Sequence, residues 1–396
     1  MANIFDGIVV VDLTNNLAGP NTASLLADFG AEVIKVEKPG GDDSRKWPPF
    51  IEGTSVTSVW LNRGKKSIVL DITKPEGMEV LKGLIAKADV VVESFRPGVM
   101  KRLGIGYEDI IKIKPDIIMC SVSGFGQTGP KSQKPGYDLI AQALSGFASV
   151  NGLKGGPPIK SATAIGDWTG SYNAFGAISA ALYHRAKTGE GQYIDIALVD
   201  CLYSANEYCE PAFNGFPVPK RLGNHQAYLC PYGIFQGKDG DIVIATANDK
   251  LWQKVCVLLK KEEFVTDPDY ATNGNRVKNQ EKLIPIIESW LKEYESVDEV
   301  VALLDGNGIP CCKVNEPVDL MKDGHLIARG MVVDLEVPAI PAGRIKSRGV
   351  GIKFSKTPGK IKATPALGQH SLEILKTKMG YDDKKIADLK AKGALG

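Results

Sequence analysis

The chain has 396 residues, 43% hydrophobic and 24% charged, with 48 Lys and Arg against 46 Asp and Glu. That is ordinary globular composition, and the near-balance of charge argues against nucleic acid as a partner. Seven cysteines with no CxxC spacing speak against a disulfide framework or a zinc site, and no run is long enough to span a membrane. These features point to a cytoplasmic chain of two or three domains, or one large domain carrying an insertion.

In chain order, "GIVVVDL" (7–13) reads as a buried strand, "TNNLAGP" as a turn and "NTASLLADFGA" (21–31) as a helix. "EVIKVEKPGG" (32–41) is the next strand and its exit loop, which completes a βαβ unit. The pattern recurs through strand 66–72, helix 75–88, strand 89–95, helix 107–114 and strand 116–126, which predicts a mostly parallel sheet covered on both faces. One long helix spans 168–187, with Gly170, Ala174, Ala177 and Ala181 on one face, and "GQYIDIALVD" (191–200) returns to strand. Residues 1–200 thus read as the first part of a large domain, with 201–224 as linker. A smaller α+β domain covers 225–325, with a hairpin turning at Asp239-Gly240 and three helical segments after it. Residues 326–396 hold a strand-like "GVGIKFS" (349–355) and a charged terminal helix, and return to the large domain.

The chain has no GxSxG, P-loop or HExxH signature, and its first βα turn lacks the GxGxxG of a dinucleotide fingerprint, so a nicotinamide oxidoreductase is disfavoured. Three loops suit a phosphorylated ligand. "NNLAGP" lies at a strand-to-helix junction, "EKPGG" carries Lys38, and "FRPGVMKRLG" supplies Phe95, Arg96, Lys101 and Arg102. All three would open on one sheet edge, and an aromatic beside cations suits an adenine nucleotide. "SATAIGDWTG" (161–170) sets Asp167 among small residues just ahead of the long helix. Two readings compete for it. Asp is a good helix N-cap, and a desolvated carboxylate beside an activated carbonyl is a covalent nucleophile. Glycine-rich "GFGQTGP" and "RLGNH" could offer backbone N–H groups to an oxyanion.

Taken in order, "FDGIVVVDLTNNLAGP", "LLADFGAEVIKVEKPGGDDSR", "LNRGKKSIVLDI", "ADVVVESFRPGVMKRLGIGYEDI", "SVSGFGQTGP", "GYDLIAQALSG", "GDWTGSYNAFGAISAALYHRAKTGEGQYIDIALVD" and "NGIPCCKV" resemble the class III CoA-transferases, the CaiB/BaiF family. The resemblance implies an α/β fold with a Rossmann-like large domain built from both chain ends, a smaller α+β domain between, and an interlocked homodimer. It implies transfer of CoA from an acyl-CoA to a carboxylic acid with no metal and no tightly bound cofactor. Asp167 would attack the thioester and then carry CoA as an aspartyl thioester. Ala18, Lys38, Leu70, Phe95 and Arg102 match CoA-contacting positions, and Arg96 joins them from its loop. Tyr137 matches an active-site tyrosine. Leu17 and Pro135 stand where the formyl-CoA branch has Gln and Lys, and only "LGNH", with Gly223 and Asn224, stands for its glycine-rich loop, so oxalate and formate are doubtful acids. An α-methylacyl-CoA racemase shares the fold but carries His at the position of Tyr137, and tyrosine is a poor base at neutral pH. A non-catalytic CoA-binding partner subunit is the other alternative, against which the retained Asp167 argues.

Overall fold

Val9–Leu13 and Val90–Glu93 are near-continuous apolar runs, the composition of strands buried on both faces. In the computed structural model, which describes residues 3–218 and 221–396, they form the centre of a six-stranded, all-parallel sheet. The strands are β1 (Val9–Leu13), β2 (Glu32–Glu37), β3 (Lys65–Val69), β4 (Val90–Glu93), β5 (Ile118–Ser123) and β6 (Tyr193–Ala197). Their order across the sheet is β3-β2-β1-β4-β5-β6. The order reverses between β1 and β4, and ligands of open α/β sheets bind outside the carboxyl ends of the strands at such a reversal.

Alternate residues of each strand feed opposite cores. On one face Val11, Ile34, Ile68, Val91 and Met119 meet Leu81 and Leu84 of helix Pro75–Ile85 together with Ile374, Leu375, Ile386 and Leu389 near the carboxyl end. On the other face Val10, Val33, Val90 and Ile118 pack on Ala23, Leu26 and Ala27 of helix Ala18–Asp28 and on Ala174, Ile178 and Ala181 of helix Ile165–Thr188. Burying one such Leu or Ile side chain is worth about 1.5–3 kcal/mol. The small-residue face runs through Gly170, Ser171, Ala174, Ile178 and Ala181, while Ala177 is only half-buried. It brings the two helices close enough for the Asn21 amide to donate to Ser171 Oγ at 2.7 Å.

The chain divides into two compact units. The larger holds residues up to Phe147, Ser161–Glu207 and Asp323–Gly396, and the smaller holds Ala148–Lys160 and Tyr208–Lys322. In the smaller unit, Tyr232–Gln236, Asp241–Ala245 and Cys311–Lys313 form an antiparallel sheet with Asp241–Ala245 in the middle. Trp252, Leu283, Ile287, Trp290, Val300 and Leu304 bury its helical layer.

Several elements differ from the reading of the sequence. The first helix starts at Ala18, because Pro20 is tolerated in a first helical turn, so "AGP" is part of the helix and Leu17 is its N-cap. Residues from 201 continue helix Leu198–Ser204 before any linker begins. Residues 148–160 group with the smaller unit. Pro219 and Lys220 of the expected linker lie outside the described residues, as do Met1 and Ala2. The segment 349–355 is not a strand; the hairpin lies earlier, pairing Val332–Glu336 with Arg344–Arg348. Its second strand, "RIKSR", is mostly polar, which hid it. Among the described residues no helix is long and apolar enough to cross a membrane.

Candidate active site

A cavity of about 380 Å³ opens at the reversal between β1 and β4. Its walls are the β1 exit (Asn15, Asn16, Leu17, Ala18), the β4 exit (Ser94, Phe95, Arg96), and the β5 exit with the turn that follows it (Gly124, Phe125, Lys134, Tyr137), together with Trp47 and Asp167. The first two loops are tied across the reversal, where Asn15 N donates to Ser94 Oγ at 2.8 Å. Two glycines let the third wall form. A Cβ on Gly124 would sit 2.8 Å from Gly136 Cα, and one on Gly136 would sit 2.9 Å from the Phe125 ring, so the two backbones touch directly. That contact delivers Tyr137, 68% exposed, to the cavity rim.

Asp167 is the third residue of helix Ile165–Thr188 and is half-buried. It is not the cap of that helix, in contrast to the simpler reading of the sequence. The N-cap position is Ala164, which offers no side-chain acceptor. Asp138 does the capping from outside the helix: its Oδ1 accepts from Gly166 N at 2.7 Å, and its Oδ2 accepts from the buried Gln142 amide at 2.7 Å. Gln142 in turn accepts from Ser161 N at 2.9 Å, which anchors the segment leading into the helix. With the cap supplied elsewhere, the Asp167 carboxyl receives no hydrogen bond from any described residue. Burial, and then the negative charge of Asp138, push it up to about 7. A carboxylate left poorly solvated and unbonded is a stronger nucleophile than one in water.

The structure brings Leu17, Ala18, Phe95, Arg96, Tyr137 and Asp167 into the lining of one cavity. It does not bring the other candidates there. Leu70 is 1% exposed in the core, with its N–H on Glu37 O at 2.8 Å, because "KSIVLDI" runs into a bridge with Leu395. Lys38 is exposed and pairs with Asp43 at 2.8 Å. Arg102 ends the short helix Val99–Arg102 and faces solvent. Gly223 and Asn224 belong to the smaller unit, where Gly223 N bonds Gly152 O at 2.9 Å. Trp47, Ser94, Lys134 and Asp138 were not singled out from the sequence, although an acid opening a helix in "GYDLIA" is a recognisable signal.

Residues 5–371 match the family described as CoA-transferase family III. The chain belongs to that family. The transferase is 38% identical over 394 residues to the succinyl-CoA:glutarate CoA-transferase of Homo sapiens, covering 98% of this chain and 89% of that protein. It is 35% identical over 393 residues to the succinyl-CoA–D-citramalate CoA-transferase of Chloroflexus aurantiacus, covering 98% and 97%. Its fold is similar to the crystal structure of a CaiB/BaiF family protein from Brucella suis, with TM-score 0.84, 36% identity, and 96% and 100% of the two chains covered. As a family III CoA-transferase it acts on CoA thioesters and carboxylic acids, and no tightly bound cofactor is indicated.

Within the transferase, Gly166 is the position where helix, cap and acid meet. A Cβ there would lie 2.9 Å from Asp138 Oδ1 and 3.1 Å from Leu202 Cδ1. Gly166→Ala is expected to push the cap away and to lower turnover by about 10²-fold, through misplacement of Asp167 rather than loss of the acid. Steady-state kinetics beside a thermal melt measure this; unchanged turnover would show that the cap does not set the position of the acid.

Proposed function

We propose that the transferase works through Asp167 as a covalent carrier of CoA, with a dicarboxylyl-CoA such as succinyl-CoA as donor and a short dicarboxylic acid as acceptor. In the first step Asp167 Oδ attacks the thioester carbonyl carbon. The C–S bond breaks, CoA leaves as thiolate, and a mixed anhydride joins the aspartyl and donor acyl groups. The thiolate then attacks the aspartyl carbonyl carbon and releases the donor acid as a carboxylate, which leaves an aspartyl-CoA thioester. The acceptor carboxylate attacks that thioester, thiolate leaves again, and its return to the acceptor acyl carbon regenerates the Asp167 carboxylate. Every step exchanges one acyl bond for another, so no net proton or nucleotide is consumed.

The observation that carries this reading is the Asp167 carboxyl, freed from capping by Asp138 and set in a cavity at the sheet reversal. Support for a second carboxylate on the substrate comes from Arg96 and Lys134, which line the same cavity and have no acidic partner among the described residues. Lys134 places a cation one residue before Pro135, where the formyl-CoA branch has its own Lys. The named relatives, which act with succinyl-CoA on glutarate or D-citramalate, point the same way. An interlocked homodimer in the cytoplasm completes the proposal. Tyr137, Leu139, Ile140 and Leu144 leave an apolar strip 43–68% exposed, which a second copy would cover.

The test is to mix the enzyme with succinyl-CoA, quench with hydroxylamine or borohydride, and map peptides by mass. A hydroxamate or alcohol at Asp167 is the expected product; modification elsewhere, or none with any acyl-CoA, overturns the covalent route. The reaction also has a defined pH dependence. The nucleophile is the ionised form, and its folded value is raised to about 7, so kcat/KM for the donor should be flat above that pH. Below it, kcat/KM should fall about tenfold per pH unit. A profile flat down to pH 5 would show that Asp167 ionises like an ordinary surface acid.

A further inference from the structure

Beneath the cavity lies a group of charged side chains that the covalent chemistry does not use. Lys35, in the middle of β2, is 1% exposed, and Lys65, Asp12 and Asp42 are at most 3% exposed. Burying such ions costs more than burying apolar side chains of the same size, so their presence asks for a reason. The bonds supply one. Lys35 Nζ donates to Asp42 Oδ2 at 2.9 Å and to the carbonyl of Thr14. Asp42 Oδ1 then accepts from Ser44 N at 2.8 Å and from Asn16 N at 3.4 Å. Lys65 Nζ donates to Asp12 Oδ2 and to Pro20 O, both at 2.8 Å, and Asp12 Oδ1 accepts from Thr14 N at 2.9 Å.

Two walls of the cavity therefore hang on one ion pair. Asn16 belongs to the β1 exit loop, and Ser44 lies in the turn Asp43–Lys46 that leads directly to Trp47. An ammonium has three donors in tetrahedral array and can hold partners in different directions, which an apolar side chain cannot do.

We propose that Lys35 and Asp42 form a positioning pair for the acyl-CoA donor: they hold the β1 exit loop and the Trp47 segment at the spacing that receives the thioester. Neither touches the reacting atoms. The inference rests on the reading of this cavity as the acyl-CoA site.

The discriminating variant is the double replacement Lys35→Met with Asp42→Asn. It removes the ion pair as a unit and leaves Asp12 with Lys65, so no charge is stranded. The Asn oxygen can still accept from Ser44 N. The expected result is a folded enzyme whose KM for succinyl-CoA rises about tenfold or more while kcat changes less than about threefold. Amide exchange should quicken in residues 14–19 and 43–47 and stay unchanged in β4 and β5. A merely structural pair would lower the melting temperature without moving KM, and that result overturns the proposal. If the double variant does not fold, Asp42→Asn alone, which keeps size and acceptor, is read by the same split. Trapping at Asp167 in the unaltered enzyme is run alongside. Its absence there would sink the covalent reading, whereas its presence with an unmoved KM in the variant sinks only the positioning role.

Discussion

Asp167→Asn is expected to abolish CoA transfer, by about 10³-fold or more, because the other carboxyl group of the cavity, Asp138, has both oxygens held by Gly166 N and the Gln142 amide and cannot take its place. Asp167→Ala should do the same, while donor binding, read by protection of the protein against thermal unfolding, should persist in both variants. Asp167→Asn should also be more stable than the parent at alkaline pH. The acid's folded value lies near 7, above its unfolded value. Folding therefore favours the protonated form, and the parent loses stability as pH rises from about 4 to about 7, then levels off. Asn does not titrate, so its advantage opens through that window and is complete above it. With solvent reaching the half-buried group, the gain should be about 1–2 kcal/mol. A variant with parental activity would remove the covalent mechanism; a variant with no gain in stability at pH 8 would show that the acid is not strained where it sits.

The second large effect concerns folding. Arg63→Ala should destabilise the large unit by about 3–5 kcal/mol at pH 7.5. Arg63 and Asp28 are each 1% exposed, and Arg63 binds Asp28 at 2.6 Å, donates to Trp60 O at 2.8 Å and lies 3.6 Å over the Trp60 ring. Burial already raises Asp28 to about 6, and Arg63 is what opposes a further rise. A raised folded value means that the acid weakens folding as pH climbs from about 4 towards that value. In the parent this loss ends near 6; without Arg63 it should continue above 6. Urea unfolding at pH 5.5 and pH 8 separates the two parts. The gap between parent and variant should widen at the higher pH, and adding Asp28→Asn should close that widening. Equal gaps at both values would show that the loss is packing alone.

The strands at the centre of the sheet were legible because Val9–Leu13, Val90–Glu93 and Ile118–Ser123 are apolar on both faces, and such runs have few alternatives. The loops that line the candidate cavity were legible from where strands give way to helices, and Asp167 drew notice by its small neighbours. What stayed hidden depends on partners distant in sequence. Asp138 caps a helix that begins 27 residues later, a relation no local pattern encodes. Lys35 sits in "EVIKVE" like a solvent-facing residue, and only the fold reveals Asp12 and Asp42 around it. Leu70 resembles a CoA-contacting position of the family by local motif, yet the returning carboxyl end buries it.

That return has a temporal consequence. The edge strand β3 is closed by chain made much later. Ser67 N bonds His370 Nδ1, residues 303 apart, and Gly396 N reaches Val69 O. A ribosome adding about 5–20 residues per second needs about 15–60 s to cover that interval. During that time the strand that will become an inner surface has one side open, while the smaller unit emerges with all of its own segments in hand. A chaperone that shields exposed strand edges would have its longest opportunity on this nascent chain before residue 370 appears, and slow translation near the end would lengthen it.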